Sequence, residues 1–252
     1  MFSQEKTKEF LLLRLKDNGG FGATPLLPST LEDTYFGTLA SFFLSATFFK
    51  EVKPKIKRFL FQLNFYDLHD PFKLYQGIKL YQVLEVELPS ELKEYIKEKL
   101  TLWSLSEALK PARIFALWYL SKFINEKMIT TALENRASSF EFKTLEDLFY
   151  LSEINHGLKD KYLDFVLRSQ NGDGGFGFYP GTTSFLENTF YALKILSGLS
   201  IHRNVFHKAQ HFIRACYNDD GGFARKPGGI SFLESTAFSI EILNSLSKSM
   251  SI

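Results

Sequence analysis

Gly221-Gly222-Phe223-Ala224-Arg225-Lys226-Pro227-Gly228-Gly229-Ile230-Ser231-Phe232-Leu233-Glu234-Ser235-Thr236 is a punctuated phrase that this chain uses three times. The other copies are Gly19-Gly20-Phe21 with Pro25, Ser29, Leu31, Glu32 and Thr34, and Gly174-Gly175-Phe176 with Pro180, Ser184, Leu186, Glu187 and Thr189. In each, the second glycine precedes the proline by 5 positions, the serine by 9, the glutamate by 12 and the threonine by 14. Four offsets held in three places without an insertion mark an internal repeat, and a repeat identifies an architecture.

The phrase reads as the joint of a helical hairpin. An amphipathic stretch such as Glu5 to Leu15 runs into the glycine pair, which supplies the positive φ that ends a helix and lets backbones approach closely. The phenylalanine re-enters apolar packing and the proline stiffens the crossing. Ser-x-x-Glu has the form of a capping box, serine oxygen to the N3 amide and glutamate back to the serine amide, which assigns Glu32, Glu187 and Glu234 to capping. The helix that follows, Leu31 to Leu44 or Leu186 to Leu196, carries too few charges for a surface helix and is expected to be buried on most sides.

Weaker copies fill the gap at a period of about 40 residues, as helical repeats do. Thr144-Leu145-Glu146-Asp147-Leu148-Phe149-Tyr150 runs in phase with Thr30-Leu31-Glu32-Asp33-Thr34-Tyr35-Phe36, and further apolar helices are expected to begin near Pro71 and Pro111. Six inner helices are therefore expected near residues 31, 71, 111, 145, 186 and 233. More polar outer helices precede them near 3–15, 51–64, 90–101, 126–136, 158–169 and 203–216. The fold class is all-α: an α/α toroid of six hairpins, with inner and outer helix rings around a central cavity. We expect one domain over 1–252, with clear repeats at 3–44, 158–197 and 203–246 and degenerate ones between.

Composition narrows the function classes. With 252 residues, 45% hydrophobic and 23% charged, the chain can bury a sizeable core. A formal charge of +2 with acids and bases interspersed carries no nucleic-acid signature. The single cysteine, Cys216, excludes an intramolecular disulfide framework and reads as a small buried hydrophobe. Gln4-Glu5-Lys6-Thr7-Lys8-Glu9 is not a signal peptide, so a cytoplasmic protein is expected. The longest nearly apolar runs, such as Leu39 to Phe49, fall short of the roughly 18 residues of a transmembrane segment, and none is expected.

Gln170-Asn171-Gly172-Asp173-Gly174-Gly175-Phe176-Gly177 and Asp220-Gly221-Gly222-Phe223-Ala224-Arg225-Lys226-Pro227-Gly228 resemble the repeats of the prenyltransferase and squalene-cyclase superfamily, the last being closest to protein prenyltransferase β subunits. The resemblance implies the toroid and does not specify a reaction. In the protein prenyltransferases a zinc ion activates the acceptor thiol through an aspartate, a cysteine and a histidine. The corresponding positions here are Phe185, Glu187 and Ser235, which cannot build that site, so no metal site is expected. Where those enzymes hold the prenyl diphosphate with basic residues, Tyr179 and Thr182 stand, and Lys226 is the one basic candidate. The protonating Asp-x-Asp-Asp box of the cyclases is missing, its nearest string being Leu31-Glu32-Asp33-Thr34.

Helical spacing supplies a candidate binding face. The residue after each repeated glutamate and those three, four and seven further on share one side of the inner helix. That face opens with Asp33, Asp147, Asn188 and Ser235 and continues three residues on with Phe36, Tyr150, Tyr191 and Phe238. A polar mouth above an aromatic belt suits an elongated apolar ligand with one polar end, such as a prenyl diphosphate-type isoprenoid. Aromatic residues at helical spacing also serve interlayer packing. Asp33 and Asp147 have no capping duty in this scheme and are the catalytic candidates, able to bind Mg²⁺ with a diphosphate or to donate a proton. His207 and His211 lie one turn apart on an outer helix without an evident third ligand and read as solvated.

Two function classes follow. One is a divergent transferase of prenyl or terpenoid chemistry. The other is a non-catalytic toroid that carries an isoprenoid or binds a protein, since β subunits of the family pair with a helical-repeat partner.

Overall fold

A computed structural model of the chain describes residues 2–106 and 109–249. The inner helices begin where the repeats place them: α2 Leu31–Leu44, α4 Pro71–Val83, α6 Pro111–Phe123, α8 Leu145–Ile154, α11 Leu186–Leu196 and α13 Leu233–Ser249. Outer helices α1 Gln4–Leu12, α3 Ala46–Gln62, α5 Ser90–Ser104, α7 Lys127–Ser139 and α12 Arg203–Ala215 precede five of them. The remaining outer helix is not continuous over 158–169. It is split into α9 Gly157–Lys161 and α10 Leu163–Arg168 at Tyr162, where φ −113° and ψ 19° leave the helical region. A two-residue hairpin, β1 Phe223–Ala224 with β2 Ser231–Phe232, leads into α13 with Phe223 opposite Phe232. No described helix is long and apolar enough to cross a membrane.

The turns explain the repeated letters. Gly221 has φ +87°, and a Cβ there would lie 2.1 Å from the Lys6 carbonyl oxygen, so both conformation and space demand glycine. Gly19 and Gly174 hold the same place against Lys55 and Lys208. The second glycine of each pair makes room for an outer-helix ring: Phe59 on Gly20, Phe212 on Gly175 and Phe10 on Gly222. The repeated threonine closes the joint from the inner helix. Thr34, Thr189 and Thr236 accept from the amides of Phe21, Phe176 and Phe223 at 2.9, 3.0 and 3.0 Å. Each also donates to the carbonyl four residues back, so a buried amide and a buried hydroxyl satisfy one another.

The capping boxes differ from expectation. Ser184 and Ser231 clasp the turn instead, donating to Asp173 and Asp220 at 2.7 Å and accepting from Asn171 and Asn218 at 2.9 Å. Ser29 pairs with Asn18 in the same way. The caps lie one residue later. Thr30 accepts from the Asp33 amide at 3.0 Å and donates to the Asp33 carboxylate at 2.7 Å. Thr144 and Asp147 form a reciprocal box on α8. Phe185, ahead of α11, makes no side-chain cap. A serine engaged by an Asp and an Asn is withdrawn from the helix end, which frees the glutamates from the duty the sequence assigned them.

The helices gather into two compact units: the chain up to Gln62 together with Asp164 onward, and Leu63–Leu163. Within the first unit the two ends of the chain meet. The Thr7 hydroxyl donates to the Gly221 carbonyl at 2.8 Å, Tyr217 exchanges hydrogen bonds with the Ser3 backbone at 3.2 Å, and the Phe2 ring packs edge-on against Tyr217. In the second unit the glycine-phenylalanine device survives without its phrase. A Cβ on Gly77 would lie 2.5 Å from the Phe65 ring, as one on Gly37 would lie 2.4 Å from Phe21. Asp70 caps α4 and receives Arg113 from the start of α6 at 2.7 Å.

Candidate functional site

In the first unit, the inner helices α2, α11 and α13 bring three of the four expected belt residues together. Phe238 meets Phe36 at 5.6 Å and Tyr191 at 6.0 Å between ring centroids, and stacks on Phe190 at 4.0 Å. Tyr35 adds an edge contact to Phe36. Tyr35, Phe36, Phe190, Tyr191 and Phe238 keep 6–8% exposure. The turn phenylalanines and their outer-helix partners fill the space between helix layers, leaving the inner rings a separate cluster. Tyr150 belongs to the second unit, in a cluster with Tyr75, Phe115 and Ala116. Its ring lies 5.3 Å from Phe115 and 5.8 Å from Phe72.

The polar residues divide. Asp33 and Asp147 serve the helix starts: Asp33 takes the hydroxyl of the capping Thr30, and Asp147 takes the amides of Lys143 and Thr144 at 3.1 and 3.2 Å. The structural duty denied to them by sequence reasoning is the one they hold. Asn188 and Ser235, by contrast, are buried with Asn188 Nδ2 and Ser235 Oγ lacking any hydrogen-bond partner. Ser239, one turn beyond Ser235, adds a third such atom. Their exposures of 2, 0 and 1% put them out of contact with bulk water. An unsatisfied buried donor costs about 1–3 kcal/mol, so three of them on two neighbouring helices call for an explanation. Asn188 precedes Tyr191 by three residues and Ser235 precedes Phe238 by three, which sets orphan polar groups and aromatic rings on the same helical faces.

Above them stands a group the sequence reading missed. Arg225 Nε donates to Glu187 Oε1 at 2.5 Å, its Nη2 lies 3.7 Å from Glu234 Oε2, and its backbone carbonyl accepts from the Leu186 amide at 2.8 Å. One arginine thereby ties the start of α11 to the start of α13. Burial works against the guanidinium's charge, but Glu187 and then Glu234 outweigh it and raise its pKa above the ordinary value. The available signal was the pair of repeated glutamates with an arginine two residues after the last Gly-Gly-Phe. Ser239 and Phe190 were legible too, as the i+4 neighbour of Ser235 and the ring beside Tyr191.

These positions do not fit a zinc ion. Phe185 offers no donor, Glu187 is occupied by Arg225, and Ser235 supplies a buried neutral hydroxyl where a nitrogen or sulfur donor is needed. His207 and His211 are exposed on α12. Among the described residues, three or more His, Cys, Asp or Glu side chains nowhere converge. Lys226 is exposed in the turn between β1 and β2, its carbonyl accepting from the Gly229 amide. Cys216 is fully buried, and desolvation pushes its thiol up to about 12.

Repeats of inner and outer helices joined by Gly-Gly-Phe turns, with first and last repeats meeting, define a protein of the α/α-toroid class. The sequence model of the prenyltransferase alpha-alpha toroid domain matches residues 2–74, 116–231 and 189–252, well over half of the chain. The chain belongs to that family. No curated protein matches it.

Proposed function

We propose that this divergent family member handles an isoprenoid, held between α2, α11 and α13 with its tail among Phe36, Phe190, Tyr191 and Phe238 and its polar end at Asn188, Ser235 and Ser239. The observation that carries this reading is the set of three unsatisfied buried polar atoms on the helical faces that bear the aromatic cluster. A bound polar end would satisfy groups that otherwise cost about 1–3 kcal/mol each. The tail would exchange ring–ring contact for ring–ligand contact, since the rings close on one another at centroid distances of 4.0 to 6.0 Å. The aromatic faces would orient the chain and exclude water; Arg225 would hold the two helix starts together around it.

Within this reading, a carrier without chemistry is favoured over a transferase by what the acids do. Asp33 takes the Thr30 hydroxyl, Asp147 closes a capping box, and Glu187 and Glu234 share Arg225, so these four carboxylates are already engaged and none of them stands ready to donate a proton or to hold Mg²⁺ with a diphosphate. Isoprenoid binding is tested by thermal denaturation with increasing ligand. A site that binds the folded state alone stabilises it by about 2.7 kcal/mol at a hundredfold excess over Kd. Tyr191→Glu should abolish the shift with helix content unchanged; an unaltered melting temperature in wild type across all isoprenoids tested would refute the reading.

A further inference from the structure

We infer that the polar end of this ligand is an uncharged hydroxyl or carbonyl and not a diphosphate, an inference that rests on the isoprenoid reading above. The unfilled groups are an amide N–H of Asn188 and the hydroxyls of Ser235 and Ser239, all neutral. An alcohol oxygen matches them: it accepts from the amide and both donates to and accepts from a serine. A carbonyl oxygen accepts from two of the three.

A diphosphate needs the opposite environment. Its charge is held in proteins by an excess of arginine, lysine or metal ion, or by helix-start amides that point at it. At the starts of α11 and α13 and in the hairpin before α13, the cations are Arg225 and Lys226 and the facing carboxylates are Glu187 and Glu234. Two charges of each sign leave no positive excess. The cation in contact, Arg225, already divides its donors between both glutamates. Further along, Lys194 is held by Glu241 at 2.9 Å. At 0–2% exposure the orphan atoms also lie where an unpaired anion would forfeit its hydration, a far larger penalty than for a neutral hydroxyl.

The test compares three probes of one chain length on the wild-type protein by calorimetry or intrinsic fluorescence: farnesol, farnesyl diphosphate with and without Mg²⁺, and the parent hydrocarbon farnesene. Farnesol should bind about tenfold or more tightly than either of the others, the factor that one well-made buried hydrogen bond supplies. Asn188→Leu and Ser235→Ala should each narrow the gap between farnesol and farnesene measured on the same variant. Tighter binding of the diphosphate, or binding that requires Mg²⁺, would overturn the inference while leaving the isoprenoid reading intact. Equal affinity for alcohol and hydrocarbon would overturn it in the same way. Failure of all three probes to bind would remove the isoprenoid reading and this inference with it. The wild-type comparison decides the matter even if a variant does not fold.

Discussion

Thr7 Oγ1 donates to the carbonyl of Gly221, 214 residues further along the chain, at 2.8 Å in a fully buried contact. It links the first helix to the turn of the last repeat. Lys6 and Phe10 of the same helix receive Gly221 and Gly222, just as α3 receives Gly19 and Gly20. The last repeat therefore uses the first helix as the outer helix of a repeat that would come next. Thr7→Val keeps the shape and strands the Gly221 carbonyl, and should cost about 1–3 kcal/mol in urea unfolding. A loss below a few tenths would show that the ends are not coupled in solution.

Two glycines separate the demands of the turn from those of composition. Gly221→Ala places a Cβ 2.1 Å from the Lys6 carbonyl oxygen at a φ of +87°. Gly172→Ala meets nothing within 4 Å and has an ordinary φ. The first should lower stability by more than about 2 kcal/mol, in the range of backbone strain plus displaced packing. The second should stay within about 0.5 kcal/mol. Parallel melting curves decide between them.

Thr189→Val removes the acceptor of the buried Phe176 amide while keeping the side-chain volume. The orphaned amide should cost about 1–3 kcal/mol, and Thr34→Val and Thr236→Val should cost comparable amounts because their bonds are equivalent. Unfolding midpoints of the three variants check this; a spread far beyond the usual context dependence would mean the joints are not equivalent.

Desolvation raises the Cys216 thiol from its ordinary value of 9.0 to about 12. A folded pKa above the unfolded one contributes stability that is complete below about pH 9 and is lost as pH rises toward 12. Cys216 should therefore resist thiol reagents at pH 8 in the native protein and react at once in denaturant. Rapid native labelling would contradict the burial.

Much of this fold is legible in sequence because its repeats are punctuated by residues with strict local demands. A positive φ against a carbonyl admits only glycine, and a buried amide needs the threonine, so Gly221 and Thr236 return at fixed spacing wherever the joint returns. The inner helix starts followed directly, even at Pro71 and Pro111 where the phrase is lost. The role of Ser231 was misread because serine three residues before glutamate fits two hydrogen-bonding schemes. The choice is made by Asp220 and Asn218, which compete for the hydroxyl from 11 and 13 residues away. Arg225 was missed for a related reason: its partners come from two inner helices, one of them 38 residues back, and no local pattern encodes such a pair. Helical spacing identified Phe36, Tyr191 and Phe238 as one set; it could not separate Tyr150, which shares their register but packs on Phe115 in another unit.

Photo-crosslinking tests the central claim most directly. A farnesyl chain carrying a diazirine near its tail end, bound in the dark and irradiated, should label peptides of α2, α11 or α13 that contain Phe36, Phe190, Tyr191 or Phe238, with excess unlabelled farnesol suppressing the label. Saturable label found solely on other helices, or no label that farnesol suppresses, would contradict the claim.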